Sequence, residues 1–220
     1  MKAFCFAAAG FFAITVFARA DLILVQRVEG GGQSGEETIR IKGDKSRTDF
    51  GGGVSMIADG ATGGMVTLAQ NGRTFLKVSP EETKAMMEQL QKYRTGSDPA
   101  KLEPAGKKEK IGEYDCDIFT VTLGALKVTY WLNKDFPNFQ SMLAQLDKFQ
   151  ATTVSAMGKG MLPDIKDFPG MPIKTEMELD GKKIVTTLIS AKEENVDPGV
   201  FNIPKDYKEI TSPTLNFQPK

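Results

Sequence analysis

Apolar and polar residues alternate along most of this chain with a period of two, the mark of half-buried β-strands. Leu22-Ile23-Leu24-Val25 opens the first such run, and Gly30-Gly31-Gly32 ends it. Ile39 and Ile41 alternate with Arg40 and Lys42, and Gly43-Asp44 turns the chain into Lys45 to Phe50. After Gly51-Gly52-Gly53 come short strands at Val54 to Ala58, Met65 to Ala69 and Thr74 to Val78. Asp59-Gly60 and Asn71-Gly72 separate them, pairs suited to the positive φ of tight hairpin turns. This half reads as a meander of about six strands.

The period then changes. Ser79-Pro80-Glu81-Glu82 predicts a helix start, with a serine cap, proline at the first helical position and a glutamate closing a capping box. Met86, Met87, Leu90 and Tyr93 fall on one face of that helix. Thr95 to Gly106 is polar with two prolines and reads as a long loop. Strands resume at Lys110 to Leu123 and Ala125 to Leu132. A second helix begins near Pro137, where Phe139, Met142, Leu143, Leu146 and Phe149 share a face at strong amphipathic spacing. Its continuation through Val154 and Met157 would stop at Gly158, before an irregular apolar-rich loop over 158–172. The clearest hairpin comes last: Ile173, Thr175, Met177 and Leu179 alternate with Lys174, Glu176, Glu178 and Asp180. Asp180-Gly181 turns it and Lys182 to Ala191 returns.

The N-terminus adds a compartment. Lys2 followed by an apolar run over residues 3–18 and then Ala18-Arg19-Ala20 fits a secretory signal peptide, residues 1–20, cleaved before Asp21. The apolar run is shorter than the roughly 20 residues a membrane span needs. Cys5 sits inside it rather than at a cleavage junction, unlike a lipid-acylated cysteine. The expectation is an exported chain, periplasmic or extracellular, with no integral span after processing. Residues 21–220 would form a single domain.

Charge and composition then remove whole classes of function. The chain carries 28 basic and 28 acidic residues, and losing Lys2 and Arg19 leaves a net charge of −2. Neither sign is in excess, so no footprint for nucleic acid is present. The chain contains no histidine. That excludes histidine-based triads and general bases, and with them the usual zinc and copper sites. Cys116 is the one cysteine left after processing, beside Tyr114 and Ile118, and reads as a small buried hydrophobe.

Other clusters fail as sites. The glycine triplets lack the Gly-Lys-Ser/Thr continuation of a phosphate loop. Asp115 and Asp117 share a strand face and read as solvated surface, as do Glu193, Glu194 and Asp197, which lack a calcium-loop pattern. Catalytic residues, metals and cofactors are therefore expected to be none. The methionines are more suggestive, since Met86, Met87, Met142, Met157, Met161 and Met171 all fall in the two helices or the irregular loop. Methionine suits surfaces that adapt to apolar partners, but these residues equally suit a sheet sealed against two helices.

The organisation resembles a known group. The residues that carry this are Asp21 to Glu29, the Ile39-x-Ile41-x-Gly43-Asp44-Lys45 strand and turn, the Gly112-x-Tyr114-x-Cys116 step, and the closing Val196-Asp197-Pro198-Gly199-Val200-Phe201-Asn202-Ile203-Pro204-Lys205-Asp206-Tyr207. They are similar to an exported bacterial family, domain of unknown function 4412, and more distantly to the lipoprotein-carrier (LolA/LppX-like) superfamily. The resemblance implies a mainly β (α+β) fold. It would be a curved antiparallel sheet or half-barrel of about ten strands, with two amphipathic helices on its concave face and a Phe-x-x-Pro-x-x-Tyr ending packed on the sheet. It carries no catalytic residue over to this chain.

Two functions remain. One is a non-catalytic binder of an apolar ligand, a lipid acyl chain or lipidated protein, with Met86, Met87, Leu90, Phe139, Met142, Leu143, Leu146 and Phe149 as candidate contacts. The other is a structural or interaction module of the envelope with a filled core.

Overall fold

The computed structural model describes residues 20–31, 33–83, 101–152 and 163–211. Twelve strands form one open, curved sheet: β1 (Leu22–Gly30), β2 (Gln33–Lys42), β3 (Lys45–Phe50), β4 (Val54–Asp59), β5 (Gly64–Ala69), β6 (Thr74–Val78), β7 (Glu103–Ile111), β8 (Tyr114–Leu123), β9 (Leu126–Asn133), β10 (Met171–Leu179), β11 (Lys182–Glu193) and β12 (Lys208–Glu209). Their order across the sheet is β12-β6-β5-β4-β3-β2-β1-β11-β10-β9-β8-β7. Every pairing is antiparallel except β12 with β6. The first and last hairpins meet in the middle, where β1 pairs with β11 from Leu22↔Glu193 to Gly30↔Ile184.

Two expectations are corrected here. Residues 103–106 belong to β7 rather than to a loop, and Lys110 to Leu123 is two strands folded at Gly112-Glu113, not one. With β12 this raises the expected ten strands to twelve. Of the Gly pairs, Asp180-Gly181 forms the tight turn with φ of 50° and 76°. At Asp59-Gly60 the chain instead makes a longer turn, in which Asp59 Oδ1 accepts the amides of Ala61 and Thr62. Arg73 (φ 46°), rather than Asn71-Gly72, takes the left-handed conformation before β6.

Alternation along each strand gives the sheet two faces with different covers. On one face Leu22, Leu24, Ile39, Ile41, Val121, Val128, Tyr130, Leu132 and Ile173 pack with the helix α1 (Phe139–Thr152) into the larger core. Phe168 meets Tyr130 edge-on at 4.9 Å, and Phe136 meets Tyr114 at 5.5 Å. On the other face Ile57, Leu68 and Phe75 are covered by the C-terminal segment through Val196 and Phe201, with Val200, Ile203 and Tyr207 beside them. The Phe-x-x-Pro-x-x-Tyr ending thus packs on the sheet. The capping box forms as expected: Glu82 Oε2 accepts the Ser79 amide at 2.8 Å and Ser79 Oγ accepts the Glu82 amide at 3.2 Å. The first helix beyond Thr83 lies outside the described residues.

Candidate functional site

Helix α1 begins at Phe139, two residues after Pro137, and Glu193 of β11 anchors its first turns. The Glu193 carboxylate accepts from Asn138 Nδ2 (3.2 Å), Ser141 Oγ (2.7 Å) and Gln145 Nε2 (3.2 Å). This seats the helix at the end of the sheet where β1 starts. Met142, Leu143 and Leu146 are buried against the strands and Phe139 is half-buried. The Phe149 side chain, like Met86, Met87 and Leu90, lies outside the described residues.

The same face has a different character at its other end. Following the register outward from β1, Val28 and Gly30 stand opposite Thr186 and Ile184, Ile184 opposite Met177, and Leu179 opposite Leu126. Phe50 and Val54 form a cross-strand pair on this face farther along the sheet. Apolar positions at this end are not sealed: Phe50 is 38%, Ile184 38% and Leu179 49% exposed. Glu37 shares this face, opposite Gln26 and between the two groups of exposed apolar residues. Burial pushes its carboxyl above the ordinary range, as expected where desolvation disfavours the charged form.

The opposite face carries a polar clamp and a cavity. Arg47 Nη1 donates to the Val200 carbonyl at 2.9 Å, tying the C-terminal segment to β3. Its Nε reaches Asp49 Oδ1 at 2.7 Å, and fully buried Ser55 donates to the same oxygen at 2.6 Å. Arg40 pairs with the other carboxylate oxygen. At the start of the segment, Asp21 accepts from Lys42 (2.5 Å) and from the Val196 amide (2.9 Å). Where the segment passes over the ends of β4, β5 and β6, it leaves a cavity of about 490 Å³. Ile57, Val66, Val78, Pro80, Phe201 and Ile203 line it, with Lys45, Asp59, Lys77 and Glu82 at its polar parts.

Burial opposes the ionised Asp49 carboxylate, but hydrogen bonds from Ser55 and Arg47 and the charges of Arg47 and Arg40 outweigh it and hold its pKa below 3.8. A lowered carboxylate contributes stability that is present above its unfolded value and lost as pH falls through the folded one. Acid denaturation of the parent should therefore steepen below about pH 4, and Asp49→Asn should flatten that limb. Urea midpoints compared between pH 6 and pH 2.5 check this. An unchanged acid limb in the variant would remove the clamp from the account.

Other singled-out residues have structural jobs. Cys116 is buried, and burial pushes its thiol up to about 11, far from thiolate chemistry. Asp117 pairs with Lys108, and Asp197 caps the turn at Pro198–Phe201 by accepting the Gly199 amide. Among the described residues no three metal-ligating side chains converge, and no helix is long and apolar enough to cross a membrane. The cavity was not foreseen from sequence, since its walls come from residues as distant as Lys45 and Ile203.

An open antiparallel sheet with a helix seated on one face and a C-terminal segment strapped across the other defines the class of protein. The family described as domain of unknown function DUF4412 matches residues 23–207, and the chain belongs to that family. No curated protein matches it in sequence. Solved structures give distant likenesses. PNGF-II is 10% identical, with a TM-score of 0.41 over 88% of this chain, which spans 31% of the PNGF-II chain. A DUF1329 family protein from Desulfovibrio piger is 11% identical, with a TM-score of 0.34 over 84% of this chain and 91% of its own. The Mycobacterium tuberculosis lipoprotein LppX is 14% identical, with a TM-score of 0.41 over 82% of this chain and 90% of its own.

Proposed function

We propose that this protein is an exported, non-catalytic binder of an apolar ligand, such as a lipid acyl chain or a lipidated protein, held on the helix-bearing face of the sheet. The observation that carries this is the continuation of the core face, beyond α1, into apolar positions left partly open: Phe50 and Val54 on β3 and β4, and Ile184 and Leu179 on β11 and β10. Apolar positions left open on the face that elsewhere forms the core are where an apolar partner would be accommodated. In this reading α1 closes one end of the face with Phe139, Met142, Leu143 and Leu146, and the ligand covers the other. Met86, Met87, Leu90 and Phe149 would face the same ligand, on the ground of helical spacing alone. The absence of histidine and the burial of Cys116 support a role without catalysis.

The test is titration with a dansylated undecanoic acid probe. The parent should bind it, and Leu179→Asp with Ile184→Asp should weaken binding by about tenfold, ~1.4 kcal/mol. The unfolding midpoint is recorded alongside, because Leu179 and Ile184 are only 49% and 38% exposed and a folded variant is needed for the comparison. A parent that binds no probe, or a variant that binds it equally well, would defeat this reading. The filled-core module, which the burial of Met142, Leu143 and Leu146 suits, would then stand in its place.

A further inference from the structure

We infer that Glu37 sets the head-group preference of the site on the helix-bearing face, in favour of a single-tailed amphiphile with an ammonium head over one with an anionic head. This rests on the apolar-ligand reading above and names the class of ligand within it. Glu37 pairs with Gln26 in the β1–β2 ladder and lies on the Phe50 side of the Thr38↔Asp49 pair. Phe50 and Val54 are therefore to one side of its carboxylate along the sheet, and Ile184 and Leu179 to the other. A tail lying across either group brings its head toward Glu37.

The other charges on this face do not answer Glu37. From β1 to β6 the face takes every second residue of each strand, and Glu37 is the one charged side chain among them. At the far edge Lys208 of β12 stands opposite Thr74, five strand spacings from β2, or about 24 Å. On β11, Lys182 is six residues beyond Leu188, which pairs with Gln26, or about 20 Å along the strand. Both distances exceed the roughly 8–10 Å over which exposed charges act at ordinary salt. Glu193 has the same sign as Glu37 and is held by Asn138, Ser141 and Gln145. Helix α1 carries one charge of each sign, Asp147 and the exposed Lys148. On β8, Asp115 and Asp117 stand opposite Lys110 and Lys108.

The Glu37 side chain is half-buried, and burial alone acts on its carboxyl among the described residues, pushing its pKa up. No hydrogen bond or opposite charge there offsets the loss of water. An apolar tail laid over the face removes more water and raises that cost. An ammonium head offsets it with opposite charge and charge-assisted hydrogen bonds, whereas a carboxylate head adds a like charge. Gln26, directly across the ladder, places an amide oxygen beside the same head.

Calorimetric titration at pH 7 with dodecylammonium and with dodecanoate, both kept below micelle formation, tests this. The parent should bind dodecylammonium more tightly by about tenfold, attraction and repulsion each supplying a few-fold. Glu37→Gln keeps the shape and removes the charge, so it should bring the two affinities together and tighten the dansylated undecanoic acid probe. Its unfolding midpoint should not fall, since no partner among the described residues is lost. Lys182→Gln should leave the ratio of the two affinities unchanged. Methylammonium should not compete, because it has a head and no tail. A ratio that Glu37→Gln leaves unchanged would overturn the proposal, as would competition by methylammonium or a ratio that follows Lys182 instead. Equal binding of both amphiphiles by the parent would overturn it while leaving the apolar-ligand reading in place. A parent that binds neither amphiphile nor the dansyl probe would overturn both.

Discussion

Leu143→Ala should lower the unfolding free energy by about 2–5 kcal/mol, the usual cost of emptying a buried leucine site. The side chain is fully buried between α1 and the central strands, in the cluster that holds Leu22, Leu24 and Ile41. Glu193 pins the first turns of α1 through three side-chain hydrogen bonds, which limits how far the helix can settle into the space. The upper half of the range is therefore expected. Leu179→Ala supplies the contrast: at 49% exposure on the same face it should cost well under about 1 kcal/mol. Urea unfolding of both variants measures the difference. A small penalty at Leu143 would mean that its burial reflects a loosely held helix over a ligand space rather than a packed end. The same unfolding curves recorded with the dansyl probe present separate the two cases, since a bound ligand stabilises only a variant that still binds it.

How far the sequence foretold this architecture depends on how each element is stabilised. Strands β3 and β6 appear between the turns that the glycines mark, and the closing hairpin appears where the alternation places it. Helix α1 was legible from five apolar positions at helical spacing. Strand β7 was not, because Glu103–Ile111 is an edge strand exposed along nearly its whole length. Its charges and Pro104 are what an edge uses to discourage further pairing, so they mask the period of two. It is held by its ladder to β8 and by Trp131, whose Nε1 donates to Glu109 at 2.7 Å. Strand β12 is two residues long and joins β6 through long-range closure alone.

The candidate sites divide in the same way. The apolar face of α1 could be read from spacing, and so could its attachment to a sheet. The open apolar positions could not, since they depend on which side chains remain uncovered after folding. Glu37 looks like a surface glutamate in Glu36-Glu37-Thr38. The register with Gln26 turns it onto the apolar face.

Gly170→Ala should be among the most damaging single-methyl changes in the molecule, costing about 1–3 kcal/mol or somewhat more, as overpacking against rigid neighbours does. A Cβ at this position would stand 2.7 Å from the Asn133 carbonyl carbon and oxygen and 2.9 Å from the Lys134 amide nitrogen. These are backbone atoms, so no rotamer change relieves the overlap. Relief requires the turn before β10 to move away from the end of β9. That movement would break the Met171↔Asn133 pairing and disturb buried Phe168 and Met171, which pack in the same core as α1. Gly181→Ala offers a comparison of opposite origin. No atom lies within 4 Å of its added Cβ, yet its φ is 76°, so only backbone strain applies, on the order of 1 kcal/mol. Thermal and urea unfolding of the two variants should rank Gly170→Ala as the more destabilised. It should also lose near-ultraviolet circular dichroism from the Tyr130–Phe168 contact at 4.9 Å. Equal stability of Gly170→Ala and the parent would show that the β9–β10 approach is looser than this packing requires.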